Sequence, residues 1–329
     1  MMPVRPSGLA ILLLLWASCS PPRSVVPPPA APEASYQVAI FGDMPYKPPD
    51  DPRYPAEQAA YRALLDTLNT RPFAFAVHVG DFTSGDCSDS LFVQRLREFQ
   101  AVAPPLIYTP GDNEWTDCPR DRYDPLERLA RLRALFFAGP TSLGRRTVPL
   151  TRQSAQPAFA AFPENVRWQQ GPVLFLTLHV VGSNNNRGEA ARPSDEYTAR
   201  TAANLAWLRE AFAVAGEAQV QGVVVFMQAN PRLEGWMARL EPTTTDGFED
   251  LRLELQRRAL AFGRPVALVH GDTHYFRVDK PFADPQTRET FVHLTRAETF
   301  GTPNLHAVVL TIDPADPNLF RFEPLLVSP

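Results

Sequence analysis

Residues 270–274 read HGDTH, directly after the apolar run 265–269 and before Tyr275 and Phe276. A strand leaving a core ordinarily exits through Gly, Asn or Ser, and one Asp there is a common turn residue. Here Asp272 is bracketed by His270 and His274, two of only six histidines in the chain, and the combination reads as a group of ligands. The same punctuation occurs three more times, at Phe41-Gly42-Asp43, Val79-Gly80-Asp81 and Pro110-Gly111-Asp112, each closing an apolar run. A single Gly-Asp is a β-turn signal. Four in register place four carboxylates beyond the carboxyl ends of strands, where open α/β folds bind ligands and where glycine lets backbones approach closely. Four like charges in one crevice repel, so a bound cation is the economical explanation.

The rest of the chain supports an α/β core. Strand-like runs at 36–41, 73–79, 105–108, 173–181, 223–227 and 266–270 alternate with stretches of helical spacing at 57–68, 91–99, 124–137, 199–214 and 248–261. Runs at 290–294, 307–312 and 319–322 follow without helices between them, which suggests a second sheet packed on the first. The charge of −4 and a pI near 5.9 give no basic footprint, so nucleic acid is not an expected partner.

The N-terminus reads as an address. Arg5 precedes the apolar run 8–16, which has the length of a signal-peptide core rather than a membrane span. Ala17-Ser18-Cys19 places small residues before a cysteine, as in bacterial lipoprotein signals, with Cys19 the lipidated residue; ordinary secretion with cleavage nearby is the other reading. Residues 1–19 are thus assigned as signal peptide, 20–35 as a Pro-rich linker and 36–329 as a single domain. The expected location is the periplasm or cell envelope, with membrane contact only through the lipid. In an oxidising compartment the even pair Cys87 and Cys118 is expected to form a disulfide closing a loop of about 30 residues, worth about 3 kcal/mol.

In motif order the chain resembles the calcineurin-like metallophosphoesterases, which include the purple acid phosphatases. The corresponding stretches are Gly42-Asp43-Met44-Pro45, Gly80-Asp81, Gly111-Asp112-Asn113-Glu114, Val225-Phe226-Met227-Gln228 and Gly271-Asp272-Thr273-His274. The resemblance implies a four-layer α/β/β/α sandwich of two mixed sheets with a two-metal hydrolytic site. Asp43, Asp81 and His274 match the family in identity. Pro45, Ser84, Asp112, Asn113, Gln228 and Asp272 depart from it, Asn113 standing where the family has a catalytic His. The implied metal ligands are Asp43, Asp81, Asp112, the amide oxygen of Gln228, Asp272 and His274. This oxygen-rich shell favours Mn²⁺ or Mg²⁺, with Ca²⁺ and iron as alternatives and zinc disfavoured.

The implied function is hydrolysis of a small phosphoester by water activated at two metals. Asn113 can hydrogen-bond a phosphoryl oxygen but cannot give a leaving alkoxide its proton, so Glu114 or Tyr46 is the candidate acid. The competing reading is a degenerate, non-catalytic binding protein of the same fold, holding one structural Ca²⁺ or no metal. Arg187, Arg192 and Arg296 are loop cations able to assist an anionic substrate, though a solvated role is the commoner one. Asn184, Asn185 and Asn186 follow a strand end and read as turn residues, or as neutral ligands or substrate hydrogen-bond donors. His270 reads as either structural or pocket-facing, whereas His78 and His179 read as packed core residues.

Overall fold

Strand β1 (Tyr36–Phe41) is apolar on both sides, and the two sides meet different partners. Val38 and Ile40 enter one apolar cluster, Ala39 and Phe41 another. That is the alternation a strand buried on both faces requires. The computed structural model describes residue 1 and residues 34–188, 193–218, 220–234, 245–283 and 287–328. The signal peptide, most of the linker, Cys19 and Arg192 lie outside the described residues.

β1 runs parallel to β2 (Phe75–His78), which runs parallel to β3 (Leu106–Tyr108). On its other side β1 pairs antiparallel with β11 (Ala307–Ile312), and β11 with β12 (Phe320–Leu325). The resulting five-stranded sheet has the order β12-β11-β1-β2-β3. A second, seven-stranded sheet has the order β4-β5-β6-β7-β8-β10-β9. Its strands are β4 (Thr151–Arg152), β5 (Val166–Gln170), β6 (Val173–Thr177), β7 (Gly222–Phe226), β8 (Val266–His270), β9 (Arg277–Asp279) and β10 (Leu294–Glu298). β6, β7, β8 and β10 are parallel, and the flanking strands are antiparallel, so both sheets are mixed.

Three apolar clusters hold four layers together. Val38, Val77, Phe175, Val224 and Val269 interleave between the sheets. The outer face of the first sheet is covered by α1 (Tyr54–Thr70), α2 (Asp89–Ala101) and α3 (Pro125–Phe136), through Leu64, Phe99 and Leu132. The outer face of the second is covered by α4 (Asp195–Glu217) and α5 (Glu249–Phe262), through Trp207, Leu208 and Leu255. The fold is therefore a four-layer α/β/β/α sandwich, as expected.

Helix starts follow local chemistry. Ser88, Asp124 and Ser194 each accept a backbone N–H from the first turn of α2, α3 and α4. Cys87 and Cys118 are joined, tying the start of α2 to the segment after β3.

Two expectations need correction. The tail strands do not form a sheet of their own: β9 and β10 extend the seven-stranded sheet, while β11 and β12 complete the five-stranded one. The strand expected at 290–294 begins only at Leu294, and Arg296, expected on a loop, lies inside it. Pairing partners far apart in sequence decide these placements, and local apolarity does not encode them.

Candidate functional site

The loops leaving β1, β2, β3, β7 and β8 converge where the carboxyl ends of the two sheets meet. Asp43, Asp81, Asp112, Gln228, Asp272 and His274 all lie there, and cross-sheet hydrogen bonds connect them. The Asp272 N–H donates to both oxygens of Asp43, each at 3.1 Å. The Gln228 amide donates to Asp81 Oδ2 at 3.1 Å, and the Asn113 N–H to Asp81 Oδ1 at 3.1 Å. Asp43, Asp81 and Asp112 are buried, with Asp272 and His274 partly exposed.

The backbone is forced to present these groups. Asp43, Asp81, Asp272 and His274 all have positive φ, from 54° to 82°, a region that L-residues other than Asn and Asp rarely enter. Such strain concentrates at functional sites. Glycines make the room: a Cβ on Gly111 would stand 2.0 Å from Asp81 Oδ1, one on Gly271 2.0 Å from Asp43 Oδ2, and one on Gly182 2.6 Å from Asp112 Oδ2.

Burial raises the Asp43 carboxyl well above the usual range, and the charge of Asp272 adds to it. Burial also raises Asp81, with Asp112, Glu114 and Asp43 repelling it. Asp272 is pushed up to about 6, mainly by burial. A positive charge beside these groups would relieve their repulsion. His274 supports the same conclusion: its Nδ1–H donates to the Thr302 carbonyl at 2.7 Å, so Nε2 keeps its lone pair and faces Asp43 Oδ1 at 3.7 Å. A second-sphere bond that fixes the tautomer is the usual arrangement for a metal-binding imidazole. The donor set thus suits a hard divalent ion in its chemistry. As the side chains stand, no group of three or more His, Cys, Asp or Glu among the described residues is gathered at ligand spacing.

Gln228 departs from its expected role. Its amide oxygen accepts the Gly182 N–H at 2.7 Å, leaving the amide nitrogen to face the carboxylates. The reverse orientation would set an NH₂ against a backbone N–H. Gln228 is therefore a donor that partly offsets the acidic cluster.

Glu114 sits beneath the cluster. It accepts from the Phe82 N–H at 2.9 Å, the Gly111 N–H at 3.0 Å and the Tyr108 hydroxyl at 3.2 Å, and burial lifts it to about 7. It braces two ligand loops. Tyr46 is closer to the chemistry, with its hydroxyl 3.1 Å from Asp81 Oδ2 and 3.4 Å from Asp43 Oδ1. Burial raises its phenol further, so it stays protonated and can donate. Asn113 is half-buried beside Asp81.

The three possible pocket residues are otherwise engaged. His270 is fully buried, pushed down to about 3 by burial, and its Nδ1 meets the Gly271 carbonyl at 2.9 Å. Arg296 is buried and pairs with Asp279 and Glu234. Asn184 clamps a neighbouring loop through the Thr245 carbonyl and the Gly247 N–H.

The sequence reading singled out the turn of Asn184, Asn185 and Asn186 but missed Ser183 and Asn230. Ser183, Asn184, Asn185 and Asn186 have φ between 51° and 56°, a left-handed turn of four residues without glycine. It aims the Ser183 hydroxyl at Asp112 Oδ2, 2.8 Å away, while the Asn230 N–H holds Asp272 Oδ2 at 2.9 Å. The available signal was the run Gly-Ser-Asn-Asn-Asn, since Asn is the side-chain-bearing residue best suited to this region. Asn185 secures the turn: it is buried, donates to the Gly247 carbonyl at 3.1 Å, and its side-chain and backbone oxygens take the fully buried Arg200 guanidinium. Asn185→Ala should cost about 3 kcal/mol, combining a lost charged hydrogen bond with alanine in the left-handed region. Chemical denaturation would measure it, and a cost under about 1 kcal/mol would mean that the turn is not held by this residue.

No family model matches the sequence, and no curated protein matches it. Among solved structures, the chain is similar to one described as "Structure of PhoD", at 14% identity and a TM-score of 0.54, over 88% of this chain and 66% of that one. It is also similar to a 5'-nucleotidase from Candida albicans SC5314, at 11% identity and a TM-score of 0.46, over 88% of this chain and 50% of that one. The chain thus spans about two thirds and one half of these proteins' lengths. What the PhoD structure shares with this chain is the fold, a four-layer α/β/β/α sandwich of two mixed sheets.

Proposed function

We propose that this chain is an exported, metal-dependent phosphoesterase acting on a small phosphoester. The observation that carries the reading is the convergence of Asp43, Asp81, Asp112, Asp272 and the neutral His274 from four strand ends, four of these five residues at positive φ. These residues would hold two divalent ions, Mn²⁺ or Mg²⁺ by the hardness of the oxygen donors. When bound, such ions polarise a phosphoryl oxygen and lower the pKa of water. The chain's own groups supply the rest. Tyr46, protonated beside Asp81, can donate a hydrogen bond to a substrate oxygen and is placed better than Glu114 to protonate a leaving alkoxide. Asn113 and Ser183 are polar groups at the rim able to orient a phosphoryl oxygen.

A signal peptide ending at Cys19, lipidation there and a Pro-rich tether before one domain complete the proposal. The Cys87–Cys118 bond supports an oxidising compartment. Among the described residues no helix is long and apolar enough to cross a membrane.

One observation favours a non-catalytic reading, a binding module with one Ca²⁺ or none: the Gln228 amide oxygen is committed to Gly182 rather than free to ligate. The deciding experiment is metal content by mass spectrometry on protein from the exported fraction, beside Asp81→Asn, with nitrophenyl phosphomonoester and diester assays. About two metals per chain, lost together with turnover in the variant, supports the enzyme. No turnover under Mg²⁺, Mn²⁺ or Zn²⁺ supplementation sinks it.

A further inference from the structure

A cleft of about 680 Å³ lies between the loop after β1 and the loop after β2. We propose that it is the pocket for the alcohol half of the phosphoester, and that it selects a neutral, hydroxyl-rich alcohol such as a sugar or nucleoside. This rests on the phosphoesterase reading and names the substrate class of that site.

Position comes first. Tyr46 belongs to both places: its hydroxyl meets Asp81 and Asp43, while the same residue lines the cleft and its carbonyl accepts the Ser84 hydroxyl at 2.9 Å. A phosphoryl group at the carboxylate cluster would therefore project its ester oxygen past Tyr46 into this space. The volume lies within the range of about 300–1,000 Å³ usual for small-molecule sites.

The walls are fixed before any ligand arrives. Buried Glu57 accepts the N–H groups of Tyr46 and Lys47, at 3.0 and 2.5 Å, and pins one wall. On the other wall, Thr83 Oγ1 accepts the N–H groups of Gly85 and Asp86, and the buried Arg95 guanidinium donates to the Phe82 carbonyl at 3.1 Å. Preorganised walls lower the ordering cost of binding.

The lining chemistry then selects the ligand. Arg95 is neutralised by Glu98 at 2.7 Å, so among the described lining residues Asp50, Asp86 and Asp121 outnumber the one remaining cation, Lys47. Carboxylates accept hydrogen bonds from paired hydroxyls and repel a second phosphate or carboxylate. Tyr54 and Tyr123 add ring faces suited to a sugar or a base. A leaving group with its own negative charge fits poorly.

Ligand-observed NMR with adenosine and ribose tests the cleft without requiring turnover. Binding is expected for at least one probe, and Ser90→Trp, which puts an indole into the cleft from the exposed start of α2, should weaken it at least tenfold. With metal-loaded enzyme, kcat/KM should favour ribose 5-phosphate or a nucleoside monophosphate over a sugar bisphosphate by about tenfold or more, mainly through KM. The double charge reversal Asp86→Lys/Asp121→Lys should erase or invert that ratio. Undetectable binding of both probes, binding indifferent to Ser90→Trp in a folded variant, or a ratio unmoved by the charge reversal overturns the proposal. Alcohol binding without any phosphoester turnover would instead overturn the enzymatic reading and leave the cleft assignment standing.

Discussion

Asp112→Asn should stabilise the ion-free protein and lose most of that gain when divalent ions are present. Asp112 is buried, and its negative charge is among the causes that raise Asp43, Asp81 and Asp272. Its carboxylate accepts the Ser183 hydroxyl, which the oxygen of an asparagine can still do. The substitution therefore removes one like charge from a crowded group while keeping a hydrogen bond. At an effective dielectric near 20, relieving such repulsion is worth about 1–3 kcal/mol. At roughly 2 °C per kcal/mol for a chain of this size, the ion-free variant should melt a few degrees above the ion-free parent.

With Mn²⁺ or Mg²⁺ in excess that advantage should shrink or vanish. A ligand at 100 times its Kd stabilises by about 2.7 kcal/mol, and a tenfold to hundredfold loss of affinity removes about 1.3–2.3 kcal/mol of that. Turnover should fall by about 10²-fold or more, because a charge that positions the ions is lost. Scanning calorimetry of both proteins, with chelator and then with Mn²⁺, gives the four melting temperatures needed. If Asp112→Asn lowers the ion-free value and leaves the Mn²⁺ increment unchanged, the carboxylates do not act as one electrostatic group.

The site was legible where its chemistry is local. A Gly-Asp pair closing an apolar run carries its meaning within three residues: the strand ends, glycine clears space, and an aspartate tolerates the left-handed backbone observed at Asp43, Asp81 and Asp272. The parallel strands of the core read well because burial on both faces leaves continuous apolar runs. β5 did not, since Arg167, Gln169 and Gln170 interrupt it. The division of the tail between two sheets was hidden for another reason: β11 pairs with β1 across more than 260 residues of chain, and no local pattern specifies that partner. Side-chain direction was equally out of reach. Gln228 could be placed at the site from sequence, but which end of its amide faces the carboxylates depends on Gly182, from a different strand end.

Glu164→Gln should be the most destabilising conservative change in the second layer of the protein. Glu164 is fully buried, accepts His179 Nδ1 at 2.8 Å, and takes the Arg133 guanidinium on both oxygens, with Nε 3.0 Å from Oε2. Burial alone would raise its carboxyl, but the hydrogen bond from His179 and the charge of Arg133 outweigh it and hold the group at about 2. Burial keeps His179 neutral, so the pair is an anionic carboxylate taking a proton donor from a neutral imidazole. A glutamine would turn an NH₂ toward Arg133 or His179 and leave the Arg133 charge, 22% exposed, uncompensated. Breaking a buried pair in this way costs about 3–5 kcal/mol.

The pH dependence gives the sharper test. Because the folded value of about 2 lies below the usual 4.5, the contribution of Glu164 is fully present above 4.5 and is lost as pH falls toward 2. His179, held below its usual 6.5, makes folding less favourable as pH drops below 6.5, in parent and variant alike. The gap between the two proteins should therefore be largest and flat above about pH 5, then shrink toward pH 3. Thermal melts followed by circular dichroism at pH 7, 5 and 3 measure that gap. A constant difference across the three would mean that Glu164 acts through packing volume rather than through its charge.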